Sequence, residues 1–474
     1  MSSQHSQSGT LIFLNLPPKT FIGIDLISFN SSAQFKGVSN IPYGLHFLYS
    51  GTDASLSIRQ GRWLNISRGD YECQIVQWNA NNESLDLLNE GVETAQNVIS
   101  STVGGSRYGL LDYQALQAAT SDLVAMQSEE ASGPGPRRYR LSSRVNAQTT
   151  EGGDELDAED ENDDDNVSNS GSGSENDANP STWQDLMSYI SPSLLTRILT
   201  RDWITTSISS LPSDIEAIPG LSHLEASDAL HQHPLCLLRV DLKQTWAADD
   251  VGRLRTDRAR DRSWYLSTLL DTAANLPSSD GDSGSTSSTS TATAASRVTA
   301  TRVNERKALG ARHLLGELQF CFLMVLTLAN YSCLEQWKRL LSVFFTCYDA
   351  LRDIEAYFVQ IVHVLREQMR RVEDVEGGLF ELRDEIASAW LRSSWARFRG
   401  NVSEIFGEGD GKGLKGEVEA LQKFFEKRYG WVSERDRLRR GMLELEDGET
   451  LEVSVAGVDE DEETGEYAPV VVET

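Results

Sequence analysis

Apolar positions are densest between Leu314 and Leu351, and their spacing changes partway along that stretch. Every residue from Phe320 to Leu326 is apolar, and Leu328 and Ala329 extend the run, which predicts a helix buried on all sides. Beyond Asn330 and Tyr331, the residues Leu334, Trp337, Leu341, Phe344, Tyr348 and Leu351 fall three and four apart, with Lys338, Arg339 and Ser342 between them. That is the stripe of a half-exposed helix. Ser332 and Glu335 have the spacing of a capping box that would start it. The expectation is an αα-hairpin. A membrane span needs about 20 apolar residues, and this run is roughly half that length with charged flanks, so a soluble core is the expected setting.

Upstream the period is different. Thr10–Leu14, Phe21–Asp25, Phe35–Val38, Gly44–Tyr49, Leu56–Ile66 and Tyr71–Trp78 are short β-leaning runs separated by Gly, Pro or Asn. They predict an antiparallel sheet or sandwich packed with Phe13, Phe21, Phe35, Phe47, Trp63 and Trp78. Helical spacing appears in parts of Leu85–Met126 and again from Trp183 to Leu199, where Pro192 kinks or divides the segment. Leu235–Leu242 reads as a strand and Ser263–Leu270 as a short helix. After the hairpin, Ile354–Val372, Leu379–Phe398, Val402–Phe406 and Val418–Tyr429 read as helices, followed by β-prone Leu451–Val455 and Ala468–Val472. The expected fold class is α+β, a β-rich N-terminal domain with added helices followed by an all-α domain. The expected boundaries are 8–272 for the first domain, 273–304 for a Ser/Thr-rich linker, 305–441 for the helical domain and 442–474 for an acidic tail.

Charge sharpens this division. The chain carries a net −28, but Glu151–Ala178 and Met442–Thr474 each hold 12 acidic residues and no Lys or Arg, leaving the remainder at −4. The stretch 127–179 is rich in Gly, Ser, Asn, Asp and Glu and cannot bury enough apolar surface to offset the entropy of ordering. It reads as a disordered acidic insertion. A nearly neutral remainder argues against direct nucleic-acid binding, which needs a basic face. The five cysteines form no CxxC pair and suit a reducing compartment, three of them looking like core residues of the hairpin.

Candidate chemistry is sparse. His231 and His233 flank Gln232 but lack further ligands, and Asp163–Asp165 lacks the Gly and terminal Glu of a calcium loop. Gly407–Gly413 lacks the spacing of a phosphate loop. Arg68–Gly69–Asp70 suits a turn between strands. One enzyme-like constellation is conceivable, His46 with Asp25 and Cys73, and His46 in an alternating strand favours a structural role. No catalytic, cofactor or metal site is expected.

Ordered segments at both ends resemble one family. Near the start lie Gly23-Ile24-Asp25, Phe35-Lys36-Gly37, Ile41-Pro42 and Gly44-Leu45-His46-Phe47. In the hairpin come LLGELQF from Leu314 and EQWKRLL ending at Leu341, and later FFEKRYGW from Phe424 to Trp431 and APVVVE from Ala468 to Glu473. These segments resemble the Aar-two splicing factors, assembly chaperones of the U5 small nuclear ribonucleoprotein. The resemblance implies a non-enzymatic protein, with a helical domain of VHS-like build, that binds the RNase H-like and MPN/Jab domains of a Prp-eight-like U5 scaffold and delays docking of the helicase Brr-two. It implies a tail strand, here Ala468, Pro469, Val470, Val471 and Val472, added between the partner's domains. It also implies nuclear and cytoplasmic residence, a free monomer, and no cofactor, membrane or direct nucleic-acid contact. The alternative is a VHS-like trafficking adaptor, which predicts a clustered basic patch on the helical domain.

Overall fold

The structure is a computed structural model, and it describes residues 8–51, 58–69, 73–88, 109–119, 181–199, 202–211, 214, 234–275, 292–372, 385–407, 410–431, 439–444 and 450–455. The acidic insertion 127–179, residues 276–291 of the linker, the tail strand 468–472, and His231 and His233 lie outside the described residues. Contacts divide the chain into two units, the second beginning at Ser181 and also taking in residues 60–62.

The first unit is built from β1 (Ser8–Leu14), β2 (Phe21–Ile24), β3 (Ile27–Asn30), β4 (Gly37–Pro42), β5 (Gly44–Gly51), β6 (Gln60–Ile66), β7 (Cys73–Asn79), β8 (Ser84–Leu88) and β9 (Leu110–Asp112). One sheet runs β8-β7-β1-β4-β9 and the other contains β6-β5-β2-β3. Period-two alternation explains how they pack. Leu11 and Phe13 of β1, Val38 of β4 and Val76 of β7 share a core with Ile22, Ile24, Phe29, Leu48 and Leu64 from the other sheet. The expected β-rich domain is therefore present, but it is not purely antiparallel. Thr10 to Leu14 pair in parallel with Cys73 to Gln77, and β4 pairs in parallel with β9. Nor do the predicted aromatics form one core. Phe13 and Phe35 fill the shared core, whereas Phe47 packs on Trp63 and Tyr49, and Phe21 on Tyr49, as a second aromatic group.

The second unit contains α1 (Trp183–Met187), α2 (Pro192–Leu199), β10 (Ile204–Thr206), α3 (Gly252–Arg260), α4 (Ser263–Asn275), α5 (Ala292–Leu328), α6 (Tyr331–Phe345), α7 (Asp349–Asp353), α8 (Glu355–Met369), α9 (Glu385–Ile405) and α10 (Lys412–Tyr429), then the hairpin β11 (Arg439–Glu444) and β12 (Thr450–Val455). Residues 181–272, read from the sequence as the end of the N-terminal domain, group with these helices. Polar contacts show why: Arg197 reaches Glu317, Tyr189 N–H donates to Gln319, and Ser181 donates to Glu367. Residues 60–62 join the same unit by antiparallel pairing with β10. Both ends of the stretch read as linker are helical, because α4 continues to Asn275 and α5 begins at Ala292. Ala and Arg between 292 and 304 are strong helix formers, and a helix nucleated on a buried core propagates readily.

The expected αα-hairpin is α5 and α6. Part of α5, Glu305–Leu328, is by length and composition apolar enough to cross a membrane. Leu314, Leu315, Leu318 and all residues from Phe320 to Val325 are instead buried, with α4, α6 and α8 packed around the helix. Two local expectations are corrected. The N-cap of α6 is Asn330, not Ser332. Asn330 accepts from Cys333 N–H at 2.8 Å while its amide donates to the carbonyls of Thr206 and Ser209, so one side chain both caps the helix and docks the chain after β10. Ser332 lies inside the helix, bonded to Leu211 N–H and Asp214, and Glu335 pairs with Lys338. Leu235–Leu242, expected to be a strand, belongs to no sheet. Its backbone is bonded by side chains, Leu238 N–H to Glu317 and Leu238 C=O to Gln336, which replace a strand ladder.

Trp337 is fully buried between Phe322 and Trp390 and donates its indole N–H to Gln368 at 2.9 Å. Trp337→Ala is expected to destabilise the helical unit by about 3–5 kcal/mol, measured by urea unfolding. A change under about 1 kcal/mol would contradict this packing.

Candidate functional site

The conceivable constellation of Asp25, His46 and Cys73 is resolved by position. Asp25 sits in the turn joining β2 to β3 at φ 57°, a left-handed conformation that Asp adopts more readily than most residues. Its carboxylate points inward and is fully buried. One oxygen accepts Phe47 N–H at 2.8 Å, and the other accepts His46 Nδ1–H at 2.6 Å and the Tyr113 hydroxyl. His46 Nε2 lies 2.8 Å from the Pro42 carbonyl oxygen. Both ring nitrogens therefore face oxygen atoms, an arrangement that favours the imidazolium form paired with Asp25. Burial alone would lower its pKa from the ordinary 6.5, but the charge and hydrogen bond of Asp25 and the Pro42 carbonyl outweigh it and the net shift is upward. Tyr113 is pushed far up by burial and by the same carboxylate, so it stays a donor. Cys73 joins a separate apolar group with Ile12 and Ile75. With His46 buried and both its nitrogens occupied, the group has no means of touching a substrate.

Backbone close approach completes this corner. A Cβ on Gly23 would overlap the Tyr49 ring at 1.9 Å, and one on Gly37 would meet the Leu11 carbonyl at 2.2 Å. The segments around Gly23, Gly37, Pro42 and His46 thus specify one buried, charged joint.

The hairpin segments build a second joint. Glu317 on α5 is fully buried. It receives Arg197 Nη2 at 2.6 Å on one oxygen, and Leu238 N–H and the Gln336 amide, each at 2.9 Å, on the other. The Gln336 amide also donates to the Leu238 carbonyl at 2.7 Å. Near the C-terminal end of α10, Phe425 and Trp431 stack at 4.5 Å, Gln422 donates to the Trp431 carbonyl, and Trp395 donates to Gln422. Gly430 caps α10 at φ 69°, which a Cβ would strain.

Among the described residues no group of three or more His, Cys, Asp or Glu is placed to hold a metal ion. Cys321 and Cys347 are buried and burial pushes their thiols up, so neither supplies a thiolate at neutral pH. Gly411, in the loop that superficially resembles a phosphate cradle, is the residue preceding α10 and sits against Phe406. The tail residues Ala468, Pro469, Val470, Val471 and Val472 lie outside the described residues. Sequence reasoning missed the Glu317 joint because its partners stand 120, 79 and 19 positions away. The one local signal was a Glu beside the apolar run of α5, which has to be paired when buried.

Residues 7–200 match the AAR2 N-terminal domain, and residues 237–434 match the AAR2 C-terminal repeat region. The mouse (Mus musculus) Protein AAR2 homolog is 22% identical over 376 residues, which cover 77% of this chain and 76% of the mouse protein. The human (Homo sapiens) Protein AAR2 homolog is 34% identical over 87 residues, 17% of this chain and 22% of that protein, and the Pongo abelii protein of the same name matches to the same extent.

Two measurements check the joints. Because His46 gains its proton affinity on folding, its contribution is fully present below pH 6.5 and is lost as pH rises through its raised folded pKa. The urea midpoint of the N-terminal unit should therefore fall across that window, and His46→Gln should flatten the dependence while lowering the midpoint at pH 6. Glu317→Ala strands Arg197 and should cost about 3–5 kcal/mol in the helical unit, with Glu317→Gln costing less.

Proposed function

We propose, on the premise that this chain belongs to the AAR2 family, that it is a non-enzymatic assembly chaperone of the U5 small nuclear ribonucleoprotein in pre-mRNA splicing. Family membership carries a splicing-related role, and the finer reading is ours. In it, the chain grips the RNase H-like and MPN/Jab domains of a Prp-eight-like scaffold and delays docking of the Brr-two helicase. It acts as a monomer, without cofactor or membrane contact, in cytoplasm and nucleus.

The observation that supports this best is the placement of the family-like segments. Those within the described residues fold into interior joints that hold surfaces in place, and none of them forms an exposed catalytic group. The tail supplies the contact with clearest chemistry. Val470, Val471 and Val472 are β-branched and follow Pro469, so they can form ladder bonds by adding to a partner's sheet, while Glu466 and Glu473 discourage self-pairing.

Affinity capture from a cell extract is expected to recover the U5 scaffold without its helicase, whereas recovery of coat or ubiquitin machinery would favour a trafficking adaptor. Removing Glu466–Thr474 should weaken binding to the scaffold's paired domains and leave the thermal transition of the helical unit in place. Unchanged affinity after truncation would sink the strand-addition mechanism.

A further inference from the structure

Among the described helices, α3 alone buries none of its residues. It carries Arg253, Arg255, Arg258 and Arg260 against one Asp257, a local +3 within a chain of −28. The two large apolar side chains at its start are open to solvent, Val251 at 78% exposure and Leu254 at 49%. A solvated helix whose only role was to connect its neighbours would have no use for both.

The helix is nevertheless held firmly. Arg255 lies over the Trp246 ring at 4.6 Å and Arg258 over the Trp264 ring at 4.4 Å. Arg258 also pairs with Asp250 at 2.5 Å, and Thr245 donates to its carbonyl. These anchors set the inward side. By helical geometry Arg253, Asp257 and Arg260 then line the outward side, with Leu254 on its flank. Arg253 and Asp257 are linked by an exposed 3.7 Å contact, which solvent screens.

We infer that the surface of Val251, Arg253, Leu254 and Arg260 docks a partner protein's peptide segment in which carboxylates alternate with aliphatic side chains. Each guanidinium can hold a carboxylate in a bidentate fork, and the two aliphatic side chains need apolar partners between those carboxylates. Nucleic acid fits less well. Asp257 stands between the outward Arg253 and Arg260, so an unbroken run of phosphates would have to pass over it, whereas carboxylates spaced along a peptide can straddle it. A phosphodiester backbone also has nothing to cover Val251 and Leu254. The acidic segment is required to be only weakly bound, since exposed ion pairs are screened by salt.

The inference does not depend on the partner proposed above, and its test is separate from that reading. The full chain is titrated with a labelled peptide of Glu-Glu-Leu repeats and, in parallel, with a labelled oligouridylate of similar length, both followed by fluorescence anisotropy. The peptide is expected to bind and to weaken with salt. R253E/R260E should lower its affinity by roughly tenfold or more, and Leu254→Ser by about threefold. Both variants should keep the parent thermal transition, because α3 contributes nothing to the core. Failure of the peptide to bind, equal binding by parent and variants, or oligouridylate binding as tightly and lost in the same variants would each overturn the assignment.

Discussion

A fully buried carboxylate on α5 constrains where much of the second unit can go. Glu317 has no solvent to stabilise its charge, so its oxygens need donors from elsewhere in the fold. Arg197 of α2, Leu238 of the stretch 235–242 and Gln336 of α6 supply them. Three stretches of chain that are remote in sequence must arrive together, because an arrangement lacking one leaves a buried charge or amide unpaired. Neighbouring residues on α5 reinforce the requirement. A Cβ on Gly316 would come within 2.5 Å of the Tyr189 carbonyl, so the α1–α2 connection sits directly on the helix backbone. Gln319 then accepts Tyr189 N–H and donates to Ser188 and to the Asp185 carbonyl. Apolar burial along α5 supplies most of the driving force, but it is non-directional. The polar joint selects which packing is reached.

The N-terminal unit applies the same logic to a sandwich. Two sheets sharing an apolar core could slide over one another at little cost. The Asp25–His46 pair lies within one sheet, on β5 and the β2–β3 turn, and what ties it to the other sheet is the Pro42 carbonyl at the end of β4 and the Tyr113 hydroxyl just after β9. A buried ion pair is weak evidence for net stability, since desolvation offsets much of the attraction. Its effect here lies in register. A shift of β5 against β2 by one residue would take His46 away from Asp25 and leave both buried groups unmatched.

This explains which features were legible beforehand. The α5–α6 hairpin, the break at Pro192 and most β-runs follow from local period and from residues with restricted backbones, and both are written in adjacent positions. What failed was decided at long range. The Ser332–Glu335 pair has a capping sequence, yet Asn330 wins because it satisfies two carbonyls from the β10 segment in addition to the helix N-terminus. A capping box of the same kind is realised at Thr182 and Asp185, where no competing contact intervenes. Leu235–Leu242 has the composition of a strand but finds Glu317 and Gln336 before it finds a sheet. The parallel pairing of β1 with β7 was equally invisible, since alternation within a strand fixes its faces and not its neighbours.

Net charge shows the same gap between sequence and arrangement. Outside its two acidic runs the chain is close to neutral, which would suggest a surface without strong features. The cations are in fact sorted by depth. Arg197 and Arg339 are held by the buried Glu317 and Asp214, and Arg262 by carbonyl and hydroxyl groups of α6 and its C-cap. Their charge is neutralised or shielded inside the fold and contributes little field to the solvent. On α3 the guanidinium groups of Arg255 and Arg258 lie over indole rings, and Arg253 and Arg260 face water. A near-zero sum can thus coexist with a basic, partly aliphatic surface.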